Sequence, residues 1–302
     1  MTPSCRSYTI LLALLAGCAP DLSPPAWLVT SPTVLAISAE PPEVQPGSAA
    51  SFHPLAASPN GPLDLSTAAW ALCTTPLALT EPGSIAPECL GDLPSAGQGD
   101  PVSISTSQDA CSLFGSIGAS TGSSTTPRPR QPDATGGYYQ PIRLELGSQT
   151  AFAQERLLCP LFQASLSVSL AYQADYQANK NPIISQLVLI DASGAQLDPN
   201  AIPESAAATL SLQWTADSNE SFLVFDTASL RLVTQQEVMH VSWFTTAGTF
   251  SVATSGADAS GVASSNAWTA PNAVGPVYLW AVIRDSRGGQ SFIELDANVI
   301  EK

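Results

Sequence analysis

The sequence predicts an all-β protein made of two β-sandwich domains, and three of its features support this class. Charged residues make up only 12% of the 302 residues, whereas Gly and Pro number 20 and 26. Short apolar segments alternate with turn signals such as Pro46-Gly47 and Asn60-Gly61. Strands separated by tight turns have this pattern. The length fits two domains, at roughly 100–200 residues each.

The first domain is predicted to span residues 33–180. Three short strands, Val34 to Ala39, Ser48 to Ala57 and Ala68 to Cys73, are separated by Pro- and Gly-containing turns. Strands of this length at this spacing are typical of a sandwich.

A long insertion is predicted inside this domain. Residues 74–137 lose the alternating pattern and include a Ser-, Gly- and Thr-rich run over 115–137. Because so long a segment is unusual within a compact domain, we expect cysteines to hold it in place. The strand pattern returns at Tyr138 to Leu146, and a short helix is predicted near Tyr172 to Ala178, ended by Asn181-Pro182.

The second domain is predicted to span residues 181–302, where alternating segments are separated by Gly- and Asp-containing turns. A flexible Ser/Gly/Ala loop is expected over 256–265. The segment Val277 to Asp285 is apolar on both faces, which predicts a strand at the centre of its sheet. The predicted strands are 183–190, 209–215, 222–225, 230–233, 240–245, 249–254, 277–285 and 292–299.

The N-terminus is predicted to carry a secretion signal. An apolar run over 8–16 follows Arg6, and small residues precede Cys18 in Leu15-Ala16-Gly17-Cys18. The run is too short to span a bilayer, which takes about 20 residues, and it matches a secretory signal peptide.

The Leu-Ala-Gly-Cys motif resembles the lipobox of bacterial lipoproteins. The resemblance implies cleavage after residue 17 and a diacylglycerol on the Cys18 sulfur. Acyl chains contribute about 0.8 kcal/mol per buried CH₂, enough for two or three chains to hold a protein on a membrane. Residues 18–32 are then a Pro/Ser tether. Ala19 in place of Asp implies, by the same resemblance, the outer membrane, with the domains facing either the periplasm or the medium.

The charge of the mature chain excludes one class of partner. Loss of residues 1–17 removes Arg6 and no acidic residue, which leaves 9 basic and 25 acidic residues and a net charge of −16. Such a chain lacks the positive surface that binds nucleic acid. Anionic lipid would repel it, so we expect its membrane attachment to be covalent.

Four cysteines remain after Cys5 leaves with the signal and Cys18 takes the lipid. An even number in an oxidising compartment predicts two disulfide bonds, with three pairings open. We favour Cys73–Cys89, which closes a short loop, and Cys111–Cys159, which ties a long loop to a later strand. No pair has zinc-ligand spacing, and no cofactor is predicted.

The end of the second domain has the most recognisable local pattern. Trp268-Thr269-Ala270-Pro271, Gly275 and the run from Val277 to Gly289 resemble the last strands of bacterial Ig-like and PKD-like domains. The resemblance implies a sandwich fold. Trp70 in the first domain is placed like Trp243 in the second, which suggests a divergent repeat.

One motif was considered for catalysis. Gly118-Ala119-Ser120-Thr121-Gly122 matches G-x-S-x-G, but no apolar strand precedes it, as a nucleophile elbow requires. The only histidines are His53 and His240, which we interpret as half-exposed strand residues.

Two weaker ligand hypotheses remain. Asp191, Asp258 and Asp285 stand in turns that could bind calcium, although Asp and Gly also suit turns on backbone grounds. Aromatic residues on predicted strands could form a glycan-binding face, although core packing is the favoured interpretation. The aromatic candidates are Tyr138, Tyr139, Trp268 and Trp280, with Tyr172 and Tyr176 nearby.

These observations favour a non-catalytic envelope lipoprotein that acts as a structural or protein-interaction module. Its expected partners are a membrane, through Cys18, and an envelope protein or glycan. A carbohydrate- or peptidoglycan-binding surface protein is the alternative, and a serine hydrolase acting through Ser120 is the least favoured.

Overall fold

The computed structural model describes residues 24–77, 85–115, 132–257 and 260–302. The protein is all-β and contains two Ig-like sandwiches. The strands of the first are β1 Thr33–Glu40, β2 Glu43–Val44, β3 Ala49–Ser58, β4 Gly61–Pro62, β5 Ala69–Leu72, β6 Ser95–Gln98, β7 Val102–Ser105, β8 Tyr138–Leu146 and β9 Gln149–Leu157.

The second half of the chain contains β10 Ile184–Ile190, β11 Ile202–Pro203, β12 Ala207–Trp214, β13 Ser221–Asp226, β14 Arg231–Gln236, β15 Met239–Thr245, β16 Thr249–Phe250, β17 Thr254–Ala257, β18 Ala263–Thr269, β19 Gly275–Arg284 and β20 Gln290–Ile300. Of these, β13 and β14 form a separate two-stranded sheet, and the others form the second sandwich. The helices are α1 Ala110–Leu113 and α2 Leu166–Asp175, with 3-10 turns at Pro87–Leu90, Pro199–Ala201 and Ala216–Ser218. In the described ranges no helix is long and apolar enough to cross a membrane.

The two sandwiches share one strand order. In the first, β3 pairs with β1 and β7, and the facing sheet has the order β2-β9-β8-β5-β6. In the second, β12 pairs with β10 and β18, and the facing sheet has the order β11-β20-β19-β15-β17. The short strands β2 and β11 each pair in parallel with the last strand of their sandwich. Trp70 and Trp243 are both buried on the corresponding strands β5 and β15, which agrees with the expected repeat.

Each sandwich has its own apolar core. The core of the first includes Phe52, Trp70, Ile142 and Leu144. The larger core of the second contains Trp214, Trp243, Trp268 and Phe250 among its aliphatic residues. Alternation along each strand sends one row of side chains into these cores, as strand geometry requires.

Two disulfide bonds tie the insertion to the first sandwich. Cys73 is bonded to Cys89, sixteen residues on, and Cys111 to Cys159, 48 residues on. These are the pairs favoured from the sequence. The insertion is more regular than expected, because β6 and β7 within it add an outer strand to each sheet. β6 is Ser-Ala-Gly-Gln and lacks apolar alternation, whereas β7, Val-Ser-Ile-Ser, alternates over only four residues.

Two further expectations are corrected. The predicted helix begins earlier, at Leu166, where the Ser165 hydroxyl accepts from the Val168 N–H, and it ends at Asp175. The loop expected over 256–265 contains the end of β17 and the start of β18. Ser264 and Asn266 of β18 are buried, and Ser264 shares a hydrogen bond with Ser255. Small polar side chains occupy inward positions there, so the strand has no hydrophobic pattern.

Candidate functional site

The outer faces of the two sandwiches pack against each other. Trp280 and Val282 of β19 point away from their own core and form a buried cluster with residues of the first sandwich. This contact explains why the segment predicted from Val277 to Asp285 is apolar on both faces. The other members of the cluster are Leu35, Ala36, Leu55 and Ala57 of the first sandwich, and Val29 of the segment before β1.

A β-bulge in β1 turns two consecutive side chains toward this contact. The register of β1 against β3 shifts between Val34 and Ala36. Val34 and Ile37 face the core of the first sandwich, whereas Leu35 and Ala36 both face the second. An extra residue in one strand redirects its side chains in this way.

Beside the apolar cluster lies a buried polar network. On the first sandwich, Glu43 of β2 and Arg156 of β9 form an ion pair at 3.0 Å, and each side chain is 2% exposed. Arg156 also donates to the Thr135 hydroxyl and to the Tyr139 hydroxyl, at 2.7 and 3.0 Å. The Tyr139 hydroxyl donates to Asp133 at 2.6 Å, so the loop before β8 surrounds the guanidinium.

On the second sandwich, Arg287 occupies the corresponding place. Its side chain is fully buried and pairs with Glu237, also fully buried, and with Glu220 at 2.7 Å. The guanidinium lies 4.6 Å from the centre of the Phe222 ring. Two carboxylates and an aromatic face thus compensate one buried cation.

The linker after α2 joins the two halves of the network. Tyr176 donates its hydroxyl to both oxygens of Glu43 at 2.8 Å. Asn179 donates its backbone N–H to Glu43 at 2.7 Å and its side-chain amide to Asp285 at 3.2 Å. The Gln177 carbonyl accepts from Arg287. The linker is therefore hydrogen-bonded to charged residues of both sandwiches.

Two more contacts extend this junction. Asn181 donates to the carbonyl of Ala39 in β1 and accepts from the N–H of Gln290 in β20. Near the start of the described chain, the Trp27 carbonyl and Val29 N–H bond to the backbone of Thr245 in β15. Residues 27–29 of the predicted tether thus lie on the second sandwich. We refer to all of these contacts together as the junction.

A cavity of about 300 Å³ opens at the junction between β1, β9 and the hairpin joining β19 to β20. Glu155 and Arg284 line it, together with Tyr139, Gln154 and Gln290. Glu155 is 1% exposed, and neither of its carboxylate oxygens has a hydrogen-bond partner among the described residues. Burial, and then the negative charge of Glu43, raise the pKa of Glu155 to about 8.

Asp285, one of the calcium candidates, belongs to the junction. Its Oδ1 accepts from the N–H groups of Arg287 and Gly289, and its carboxylate accepts from Asn179. Burial, and then the charge of Glu237, raise its pKa to about 7. Asp191 lies in an exposed turn and accepts from Ser193 and Ala195. Within the described ranges no three His, Cys, Asp or Glu residues are grouped as a metal would require.

The aromatic candidates do not form an exposed row, so their positions give the weaker glycan-face hypothesis no support. Tyr138, Trp268 and Trp280 are 4%, 1% and 0% exposed. The first two belong to the sandwich cores and Trp280 to the contact between the sandwiches. Tyr139 is half-buried in the Arg156 network, and Tyr172 stacks on Tyr176 with 4.5 Å between ring centres. Core packing, the favoured interpretation, accounts for the three buried rings.

Several predicted residues lie outside the described ranges, namely Cys18, Ser120 and Asp258. The two histidines are separate from the junction contacts. His53 pairs with Asp100 at 3.3 Å on the first sandwich, and His240 is exposed on β15.

Sequence reasoning missed the charged residues of the junction. Glu43 and Arg156 are 113 positions apart, and Glu237 and Arg287 are 50 apart. One signal was present: charged residues are scarce, yet several fall inside predicted strands or tight turns. The network bonds the linker to both sandwiches, and the cavity beside it is lined by a buried carboxyl group and a guanidinium group.

No protein-family model matches the chain, and no curated protein matches it. Among solved structures, the D00-D0 domain of intimin covers 90% of this chain and 99% of its own, at 9% identity and a TM-score of 0.26. The match to the Yersinia pseudotuberculosis adhesin InvE covers 88% of this chain and 58% of the adhesin, at 11% identity and a TM-score of 0.24. The match to domains 4 and 5 of the S-layer protein SbsC covers 88% of this chain and 98% of that structure, at 8% identity and a TM-score of 0.20. At TM-scores this low, these likenesses carry no argument about function.

Proposed function

We propose that this chain is a non-catalytic cell-envelope lipoprotein whose two sandwiches act as one rigid structural or protein-interaction module. Cys18 anchors it to the outer membrane, and an envelope protein is its partner. The observation that carries the proposal is the junction, which holds two Ig-like sandwiches in one relative orientation.

The rigidity follows from what is buried. Contacts between domains of one chain are commonly polar and permit relative motion. Here the contact buries Trp280 and Val282 of β19, and beside it each sandwich contains one almost completely buried ion pair that is hydrogen-bonded to the linker. Separating the sandwiches would break the linker's bonds to Glu43 and Arg287, and a buried charge that loses its partners is costly. A rigid spacer or a composite binding face needs this property.

Spin-label distances test the rigidity. Ser103 in β7 and Gln213 in β12 are exposed and lie on different sandwiches. Labels at these positions are expected to give one narrow distance distribution. A matched pair inside the second sandwich, on the exposed Gln213 and Thr249, gives the width that labels alone produce. A Ser103–Gln213 distribution much broader than this control would contradict the rigid module.

Labelled palmitate tests the anchor. We expect the wild-type protein to incorporate the palmitate label and to sediment with membranes. The Cys18→Ser variant should lose both properties. Cys5→Ser is a matched control, because it makes the same change within the predicted signal and should keep both properties. Labelling that persists in Cys18→Ser would refute the lipoprotein assignment.

Crosslinking in native envelopes tests the partner. The wild type should give a defined crosslinked protein, and Arg287→Gln, which removes a central cation of the junction, should give less of it at equal abundance. Equal crosslinking of both would show that the partner does not require the fixed orientation. The buried rings give the glycan-binding alternative no support.

A further inference from the structure

The cavity between the sandwiches is lined by a buried carboxyl group and a guanidinium group, and neither has an ionic partner among the described residues. The Glu155 carboxylate is buried, lines the cavity, and has no hydrogen-bond partner among the described residues. Uncompensated buried carboxylates are rare because desolvation is costly. An orphaned polar group of this kind in a cavity points to a ligand.

Arg284 faces the same cavity from the second sandwich. Its guanidinium donates only to neutral acceptors, namely Gln290 at 3.0 Å, Ser242 at 3.3 Å and the Leu35 carbonyl at 3.4 Å. Within the described ranges it forms no ion pair, unlike Arg143, Arg156 and Arg287. Since a guanidinium has five N–H donors, two remain for a ligand.

We propose that this cavity binds a small zwitterion of the α-amino acid class, with its ammonium group at Glu155 and its carboxylate at Arg284. A simple cation would leave Arg284 without a counter-ion, and a simple anion at Arg284 would leave the buried Glu155 carboxyl without a hydrogen-bond partner. A zwitterion compensates both. The volume of about 300 Å³ is at the small end of the range for ligand sites.

The site is composite, because β9 supplies one charge and β19 the other. Binding therefore depends on the sandwiches being held together. It does not depend on the lipid anchor or on an envelope partner, so the proposal can fail while the proposed function stands.

Proton linkage gives a specific signature. Burial holds the Glu155 carboxyl protonated near neutral pH, and an ammonium group at this position favours the ionised form. Binding of the zwitterion should therefore release a proton, whose number calorimetry measures from the dependence of the binding heat on the buffer.

The experiment is titration calorimetry of the purified full chain with glycine and L-alanine. Methylamine and acetate serve as the two halves of the zwitterion, and calcium chloride as a metal probe. The amino acids are expected to bind with proton release, and each half at least tenfold more weakly. The proposal would be overturned if neither amino acid bound, or if methylamine or acetate alone bound as tightly as the amino acids. Calcium binding that requires Glu155 would also overturn it.

Variants locate the site. Glu155→Gln and Arg284→Lys should each weaken amino-acid binding by about tenfold or more, as expected for a lost charged hydrogen bond. Glu88→Gln and Arg231→Lys make the same changes at exposed positions and should bind like the wild type. Urea unfolding of each variant verifies that it folds. If folded Glu155→Gln and Arg284→Lys retain wild-type affinity, the ligand is not in this cavity.

Discussion

The hydroxyl of Tyr176 lies 2.8 Å from both carboxylate oxygens of Glu43, so the end of the linker helix is fastened to the edge strand of the first sandwich. Tyr176→Phe removes this donor and leaves the stacked ring in place. We expect the free energy of unfolding to fall by about 1–3 kcal/mol, as for other hydrogen bonds to a charged group. Urea unfolding measures this. Tyr278→Phe is the control, because no hydrogen bond of its hydroxyl is found in the described chain. A drop equal to that of the control would show that the Tyr176 bond contributes nothing.

Arg287→Gln should be far more damaging. Glu237 is fully buried and would lose the only cation with which it pairs among the described residues. Breaking a buried pair in this way costs about 3–5 kcal/mol. Lys180→Gln is the comparison, because its ammonium, on a side chain that is 78% exposed, pairs with Glu220 of the same network. That exposed pair should contribute less than about 1 kcal/mol. Similar losses for both variants in urea unfolding would contradict a buried, charge-compensated network.

The stability should fall as the pH rises through neutrality. Folding raises the pKa of Glu155 from 4.5 to about 8 and that of Asp285 from 3.8 to about 7. The folded chain therefore keeps protons that the unfolded chain releases. The contribution of these two protonated carboxyls to the free energy of unfolding is complete below about pH 4 and is lost as the pH rises to about 8.

Melting temperatures measured between about pH 4 and about pH 8 test whether the stability falls as the pH rises. Glu155→Gln cannot ionise, so its melting temperature should fall less steeply with pH than that of the wild type, whereas Glu88→Gln should keep the wild-type slope. A wild-type melting temperature that rises between about pH 5 and about pH 8 would mean that these carboxyls are ionised in the folded protein.

Loss of the Cys111–Cys159 bond should cost more than loss of Cys73–Cys89. The first closes 48 residues and the second 16. On the chain-entropy relation these loops correspond to about 4 and about 3 kcal/mol. Paired Cys→Ala variants in urea unfolding measure both. A larger loss for the short loop would indicate that local packing, such as the Arg143 bond to the Cys89 carbonyl, outweighs loop entropy.

The sequence was sufficient for the elements whose signal is local. Tyr138 to Leu146 alternates strongly and is a strand with the predicted ends. The run from Val277 was interpreted as a central strand because both faces are apolar, and β19 does lie inside its sheet. The second cause of that pattern, the covering first sandwich, involves residues more than 200 positions away and has no local signal.

Elements built from small or polar residues escaped prediction. The strand β18 buries Ser264 and Asn266 through hydrogen bonds, so its inward positions resemble a loop. Trp280 is a candidate ligand residue in the sequence because a sequence does not show which face of a strand a second domain covers, and Tyr138 because a sequence does not show which face meets the strand's own core. The junction depended on pairings such as Glu43 with Arg156, which only the folded chain brings together.

The backbone bonds between Thr245 and residues 27–29 determine how a mechanical load would enter this protein. A pull applied through residue 24 reaches β15 of the second sandwich before it reaches β1 of the first. Tension on the segment before β1 would therefore be divided between the two sandwiches, because both are bonded to that segment.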